Sequence, residues 1–403
     1  MHTVTKAILK DNQGRDAARL AIKLAALRGN AFAFFRGTSP LFYRTLELPR
    51  ALIASPAVLA CGDLHLQNFG SYKGDNRLVY FDLNDFDESC VAPAAFELVR
   101  FLASVLLAGD TLPISKKVSA ELVNAFIDTY ATNLISKKPR WVERPLATGP
   151  VKTLLRSLKG RHRRDMIQQR TRRKAGKMRL IIDGKRTLAA TAHDRAQVKA
   201  ILAAYTRTQS ADDSLDLIDS ARRIAGNGSL GLERYTALVR GHGKHEGQYL
   251  IDVKRATASS LAPHCGTRQP RWHHEAERVA AIQNTMQAIS PALLGAVAVN
   301  KQAYLIKEMQ PTADRINLPA LKGNAGTLNA LIRTMAEVTA WGQLRGCSRY
   351  GAAPVEALAE FAASTAWRRQ ITDCTHSAHR RVVQQWQSYA ADYDAGLPVL
   401  TSP

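Results

Sequence analysis

Arg223-Ile224-Ala225-Gly226-Asn227-Gly228-Ser229-Leu230-Gly231-Leu232-Glu233-Arg234-Tyr235 sets three glycines in the spacing G-x-G-x-x-G between two strand-like runs. Glycines so placed let backbone amides approach phosphate oxygens with no Cβ in the way. Alone the pattern is weak, and the residues after it decide the fold. A dinucleotide-binding loop opens a helix, whereas a loop that cradles a nucleoside triphosphate turns back into an antiparallel strand. Here Tyr235 to Val239 reads as a strand, Gly241-His242-Gly243-Lys244-His245-Glu246-Gly247 as a turn, and Tyr249 to Ala256 as a second strand. The order strand, turn, strand favours the antiparallel cradle, with Gly226, Asn227, Gly228, Ser229 and Gly231 as its phosphate-facing residues.

Outward from this loop, Lys254 stands near the end of the following strand, where an ammonium reaches α- and β-phosphates much as the strand lysine of kinases does. Arg271 to Ile289 then spaces Ala276, Val279, Ala280, Ile282, Met286 and Ile289 at broadly helical intervals behind Glu275 and Glu277. Glu277 is the expected partner of Lys254. Acids in a first helical turn also occur simply for the macrodipole. Val297 to Asn300 and Ala303 to Met309 read as another hairpin, and Gln310-Pro311 as the link to the rest of the chain.

Far upstream lies a second constellation, Cys61-Gly62-Asp63-Leu64-His65-Leu66-Gln67-Asn68-Phe69-Gly70, followed by Leu78-Val79-Tyr80-Phe81-Asp82-Leu83-Asn84-Asp85-Phe86-Asp87-Glu88. A hydroxyl attacking a γ-phosphate needs a carboxylate to take its proton, and Asp63 is the candidate. Magnesium bridging phosphates wants one or two carboxylates and other oxygen ligands. Asn68 and Asp82 supply them, with Asp85 as rival or second ligand. His65 reads as an orienting hydrogen-bond group of the catalytic loop and not as a base. Asp-x4-Asn spacing arises by chance in most chains of this length, and the acidic run also suits a solvated turn. Yet four carboxylates between Asp82 and Glu88 repel one another unless a cation or basic group compensates.

On Phe35-Arg36-Gly37, Gly62 to Gly70, Phe81 to Glu88, Arg223 to Gly231 and Val253-Lys254, the chain resembles the bacterial family catalogued as domain of unknown function 2252. Its motifs are similar to those of the aminoglycoside-phosphotransferase and choline-kinase group, in which a G-D-x-H-x-x-N loop precedes an Asp-bearing strand. The resemblance implies Asp63 as catalytic residue, Asn68 and Asp82 as metal ligands, and ATP and magnesium as cofactors. It implies an α+β, protein-kinase-like two-lobed fold with a small antiparallel-sheet nucleotide lobe and a large helical lobe. Kinases place the glycine loop and lysine first. Here Asp63 precedes Gly226 by more than 160 residues, which a circular permutation reconciles. Arg36 belongs to the resemblance as a phosphate contact or a structural salt bridge.

Composition suits a large enzyme: 403 residues, 46% hydrophobic and 22% charged, support two substantial cores. No apolar run reaches the roughly 18 residues needed to cross a bilayer. Met1 to Lys10 lacks a signal-peptide core, so a cytoplasmic location is expected. Five cysteines with no C-x-x-C spacing argue against a disulfide framework or structural zinc, and His242, His245, His273 and His274 read as solvent-facing. The net charge of +22 predicts attraction to polyanions and anionic substrates. It is concentrated between Lys152 and Arg186, with fourteen Lys or Arg against Asp165 and Asp183. That stretch could track nucleic-acid phosphates, although few aromatics interleave with it.

The organisation expected is therefore residues 1–150 as part of the helical lobe with the catalytic loop and metal hairpin, 151–215 as a basic connector, 216–311 as the nucleotide lobe, and 312–403 as helices completing the helical lobe. Asp16 to Leu27, Phe96 to Ala108, Ala320 to Trp341, Pro354 to Ala366 and His376 to Tyr393 are the clearest helical segments. The function expected is an ATP- and magnesium-dependent phosphotransferase acting on a hydroxyl of a small molecule. The competing readings are a non-catalytic nucleotide-sensing or nucleic-acid-binding protein on the same scaffold, and a nucleotidyl transferase.

Overall fold

A computed structural model describes residues 1–209, 214–226, 228–243, 246–310 and 315–398. Asn227 of the glycine loop, Lys244 and His245 of the hairpin tip, and Pro311 of the link lie outside them. The architecture is mixed α+β, with fourteen α-helices and several small antiparallel sheets among the described residues.

The chain opens with five helices, α1 (Thr3–Asp11), α2 (Ala17–Arg28), α3 (Ala31–Gly37), α4 (Ser39–Thr45) and α5 (Arg50–Ile53). Asp16 and Asn30 each accept a backbone N–H three residues on and so start α2 and α3. β1 (Ala57–Ala60) pairs with β4 (Cys90–Pro93), while between them β2 (Phe69–Lys73) and β3 (Val79–Leu83) form a hairpin. Gly74 N–H closes that hairpin on the Leu78 carbonyl. The α6 helix (Ala94–Gly109) is buried from Ala94 through Ala108. Being apolar nearly all round, it takes the centre of the helical core. Packed around it are α7 (Lys116–Ser136) and, from the far end of the chain, α14 (Ala366–Asp394); α12 (Ala325–Gly346) and α13 (Val355–Ala363) back onto α7.

After the two-residue β5 (Val142–Glu143), which pairs with β3, come α8 (Gly149–Ser157), α9 (Arg163–Arg170) and the exposed ribbon β6 (Thr171–Lys174) with β7 (Lys177–Leu180). β8 (Thr187–Ala189), α10 (Ala192–Thr206), β9 (Leu215–Arg223), β10 (Arg234–Gly241), β11 (Gly247–Arg255), α11 (Glu275–Met286), β12 (Gly295–Val299) and β13 (Gln302–Glu308) follow. The six strands form one antiparallel sheet in the order β12-β13-β11-β10-β9-β8. The expected connector of residues 151–215 is thus no simple link, since β8 is an edge strand of this sheet and α10 packs against it.

Alternation along the strands gives the sheet two unlike faces. Tyr235, Ala237 and Val239 of β10 and Tyr249, Ile251 and Val253 of β11 bury themselves with Val198, Ile201 and Leu202 of α10. The alternate residues, Arg234 on β10, Asp252 and Lys254 on β11, and Leu305 and Lys307 on β13, therefore share the other face. Register sets Arg234 opposite Lys254, and Asp252 opposite Lys307. That face looks toward the loop after β3.

Candidate active site

The turn from β1 to β2 carries Asp63, His65 and Asn68, and three polar side chains of the buried α6 hold it. Glu97 accepts the Cys61 and Gly62 N–H groups at 2.7 and 3.3 Å, and Ser104 accepts the Leu66 N–H at 3.1 Å. Between them Arg100, fully buried, donates through Nε to Asp63 Oδ1 at 2.8 Å and through a second guanidinium nitrogen to the same atom. The spacing 97, 100, 104 keeps all three on one helix face. Gly62 has φ +79°, and a Cβ there would stand 1.9 Å from the Glu88 carbonyl oxygen. Only glycine lets the loops 61–68 and 84–89 touch in this way.

Burial pushes the Asp63 carboxyl up to about 7 from an ordinary 3.8, against the opposing pull of Arg100. It is thus poised to accept a proton near neutral pH. His65 is held neutral, its pKa pushed well down by burial and by the charges of Arg36, Arg100 and Arg315. Its Nδ1 accepts the Gln67 N–H at 3.1 Å, so it orders its own loop instead of orienting Asp63. Asn68 donates to the backbone carbonyls of Asp63 and Asp85 at 3.1 and 3.2 Å, tying the two loops together. Its Oδ1 is enclosed and has no hydrogen-bond partner among the described residues. An orphaned amide oxygen beside carboxylates suits a hard cation.

Asp85 lies across the same space. Burial raises its pKa, but Lys254, Lys307, Arg315 and Arg234 outweigh that and hold the carboxyl below its ordinary range. Asp82 differs from expectation. Its carboxylate accepts the Leu83 N–H at 2.8 Å and faces Arg345 of α12 at 3.4 Å, away from the cavities that Asp63, Asn68 and Asp85 line. The acidic residue that meets Asn68 across the cleft is therefore Asp85, three positions later.

On the sheet side, Lys254 is 7% exposed and bridges to Asp87, with Asp85 Oδ1 at 3.9 Å. Ser229 of the glycine loop lies 3.4 Å from the same Asp87 carboxylate. Glu277 does not pair with Lys254. It caps α11 through the His273 N–H and ring and stands toward solvent. The next residue, Arg278, turns inward instead and donates to the carbonyls of Ser89, Asp87 and Thr257. Arg223 and Arg234 both pair with buried Asp252, which they hold well below the carboxylate range although burial opposes them. Arg234 also donates to the Ala225 carbonyl at the root of the glycine loop.

The glycine loop is clamped from the far side by α2 and the residues before it. Arg15 donates to the Gly228 and Leu230 carbonyls at 2.6 and 2.8 Å, Lys23 to Gly228 at 3.1 Å and Arg19 to Leu232 at 2.9 Å. Gly226 and Gly231 have φ +75° and +88°. The loop thus roofs a cavity of about 80 Å³ lined by Asp63, His65, Asn68, Arg36 and Arg315. A second, of about 170 Å³, lies under the sheet among Lys254, Lys307, Arg234 and Gln310. Asp85, Asp87, Gly226 and Arg315 border both.

The structure therefore brings together Asp63, Asn68, Asp85, Gly226, Gly228, Ser229 and Lys254, with His65 in support. It leaves Asp82 and Glu277 outside, sets Gly231 against the side chain of Arg15, and does not describe Asn227. Glu97, Arg100 and Ser104 were missed. An acid and a base inside the otherwise apolar run Ala94 to Gly109 were the available signal.

The chain belongs to a family described as uncharacterized proteins conserved in bacteria, DUF2252, whose model matches residues 15–392. No curated protein and no solved structure matches it. No helix among the described residues is long and apolar enough to cross a membrane.

Proposed function

We propose that this protein is an ATP- and magnesium-dependent phosphotransferase with a protein-kinase-like, circularly permuted two-lobed fold, acting on a hydroxyl of a small molecule. One observation carries the reading. A carboxylate with its pKa raised to about 7, Asp63, shares a cleft with the orphaned Asn68 oxygen, with Asp85 and with the strand lysine Lys254 beside a glycine loop. These residues come from segments almost 200 positions apart, and phosphoryl transfer asks for this set.

In this reading the triphosphate lies under the sheet, where the ammonium of Lys254 exchanges Asp87 for phosphate oxygens. Asn68 Oδ1 and Asp85 would hold a magnesium ion that, when bound, offsets the charge of the β- and γ-phosphates. Among the described residues no three His, Cys, Asp or Glu side chains form a metal cage, so phosphate oxygens would complete the ligand set. The acceptor hydroxyl enters on the Asp63 side. Its oxygen forms a bond to the γ-phosphorus as the bond from that phosphorus to the β-γ bridging oxygen breaks. The hydroxyl proton passes to Asp63, and ADP leaves with the electron pair. Arg100 holds Asp63 in place for this step.

The test uses the full chain. Mg-ATP should raise the melting temperature of the wild type and leave Lys254→Ala unchanged, and label from γ-labelled ATP should pass to a metabolite extract with wild type but not with Asp63→Asn. Transfer of α-label instead would make the protein a nucleotidyl transferase. No nucleotide-dependent shift would end the proposal.

A further inference from the structure

The cavity roofed by the glycine loop is ringed by charges, and nearly all of them are already satisfied. Asp63 is bound to Arg100, Asp11 to Arg44, and Asp87 to Lys254, while Glu88 accepts the Ser260 N–H. Arg15 and Lys23 are spent on carbonyls of the loop. Two guanidinium groups differ. Arg36 and Arg315 line the cavity, and neither has a carboxylate within ion-pair distance among the described residues. Arg36 Nε is enclosed with no hydrogen-bond partner among the described residues, its guanidinium resting on the Phe32 ring at 5.7 Å. Burial and the like charge of Arg315 push Arg36 down to about 10, although Asp63 and Asp85 pull the other way.

Two arginines that face one enclosed space, neither of them ion-paired among the described residues, repel each other and forgo their fork-shaped hydrogen bonding. A carboxylate or a phosphate group placed between them restores both. Arg315 also borders the cavity of Lys254 and Lys307, but Arg36 does not, so with the triphosphate on that side an anion gripped by both arginines lies on the Arg36 side of Asp85 and Asp87. It belongs to whatever occupies the Asp63 side.

We infer that the acceptor is an anion-bearing hydroxyl compound whose carboxylate or phosphate group is held by Arg36 and Arg315 while its hydroxyl meets Asp63. The inference rests on the phosphotransferase reading for the word acceptor, and on the unpaired arginines for the anion. The two cations offset the repulsion between an anionic acceptor and the γ-phosphate, and they reject neutral polyols.

Thermal-shift titrations of the full chain with inorganic phosphate and with acetate separate the anion classes, with glycerol as the neutral control. Whichever anion the site takes should stabilise the wild type, with binding about tenfold weaker or worse in Arg36→Gln and in Arg315→Gln. Lys254→Ala should keep that response, because its lysine serves the neighbouring cavity. Mg-ATP should show the opposite pattern, retained in Arg36→Gln and lost in Lys254→Ala. If neither anion stabilises the protein, or if both arginine variants respond like the wild type, the inference fails while the Mg-ATP arm still reports on the phosphotransferase reading. A response lost only in Lys254→Ala also overturns it, since the anion then occupies the nucleotide side.

Discussion

At the scale of single residues, the proposed phosphoryl transfer turns on one carboxyl whose proton affinity is set by opposing forces, burial and Arg100 the largest. Burial raises Asp63 to about 7, and Arg100 keeps it from rising further. If the deprotonated form is the base, as proposed, ADP release from Mg-ATP should climb with pH through a midpoint near 7, and Asp63→Asn should lose about 10²- to 10⁴-fold at every pH. Replacing Arg100 by Met removes the cation that favours the carboxylate. The rising limb should then move to higher pH, and a limb that stays put would remove Arg100 from its positioning role. The same shift bears on stability with a definite sign. The folded carboxyl holds its proton more tightly than the unfolded chain at 3.8, so its contribution favours the fold below that pH and fades as pH climbs through about 7. Asn68 offers a separate check, since its Oδ1 has no partner among the described residues. Asn68→Ala should raise the magnesium concentration needed for half-maximal Mg-ATP stabilisation several-fold, and an unchanged magnesium dependence would mean that the amide only ties two loops together. That Asp63, Asn68 and Asp85 line one cavity was legible because they fall in one stretch whose spacing the proposed chemistry needs. Choosing Asp85 over Asp82 was not legible, because the competitor for Asp82 is Arg345, 263 positions away.

At the scale of elements, the turn from β1 to β2 is shaped less by its own residues than by the helix beneath it and the loop beside it. Gly62 is where that shaping is most exposed. Any side chain there must adopt a left-handed backbone and also push away the Glu88 carbonyl, which a Cβ would approach to 1.9 Å. Gly62→Ala should therefore destabilise the fold by more than about 3 kcal/mol in denaturant unfolding, combining strain with a backbone clash. A loss below about 1 kcal/mol would mean that the two loops part easily and that their contact does not fix the site. Periodicity made several elements readable: α2, α6 and the hairpin β10–β11 fall close to the segments expected from apolar spacing, and α12 overlaps its expected segment but lies five residues later. β8 escaped because three residues, Thr187 to Ala189, carry no alternation to detect, and their pairing with Ala221 to Arg223 is settled only in three dimensions. Glu277 went astray for a related reason. An acid in a first turn looks the same in sequence whether it caps its helix or reaches a lysine, and His273, one turn earlier, took it.

At the scale of the whole molecule, the puzzle is the order of parts, with the acidic loop early and the glycine loop late. The two regions have separate cores, one centred on α6 and the other between the sheet and α10, so neither depends on being made first. The described ends of the chain also meet. The His2 N–H donates to Asp392 at 2.6 Å, Thr5 donates to the same carboxylate at 2.5 Å, and Asp392 lies in the last turn of α14. A chain joined across that meeting point by a short glycine-serine linker and reopened at Gly160 would run in the kinase order, sheet first and Asp63 later. Gly160 suits the cut, being exposed, at φ +83°, and with nothing within 4 Å of where a Cβ would lie. Termini moved to an exposed loop tip are usually tolerated because few buried contacts cross it. The permuted protein should keep the far-UV circular dichroism of the parent, melt within about 5 °C of it, and show the same Mg-ATP stabilisation, since every residue named in the cleft keeps its neighbours. If it folds but no longer responds to Mg-ATP, the junction at α8 and α9 contributes to the cleft in a way the permutation reading does not allow. If it aggregates, the two cores do not assemble independently of chain order, and the relation to a kinase fold by permutation is lost with them.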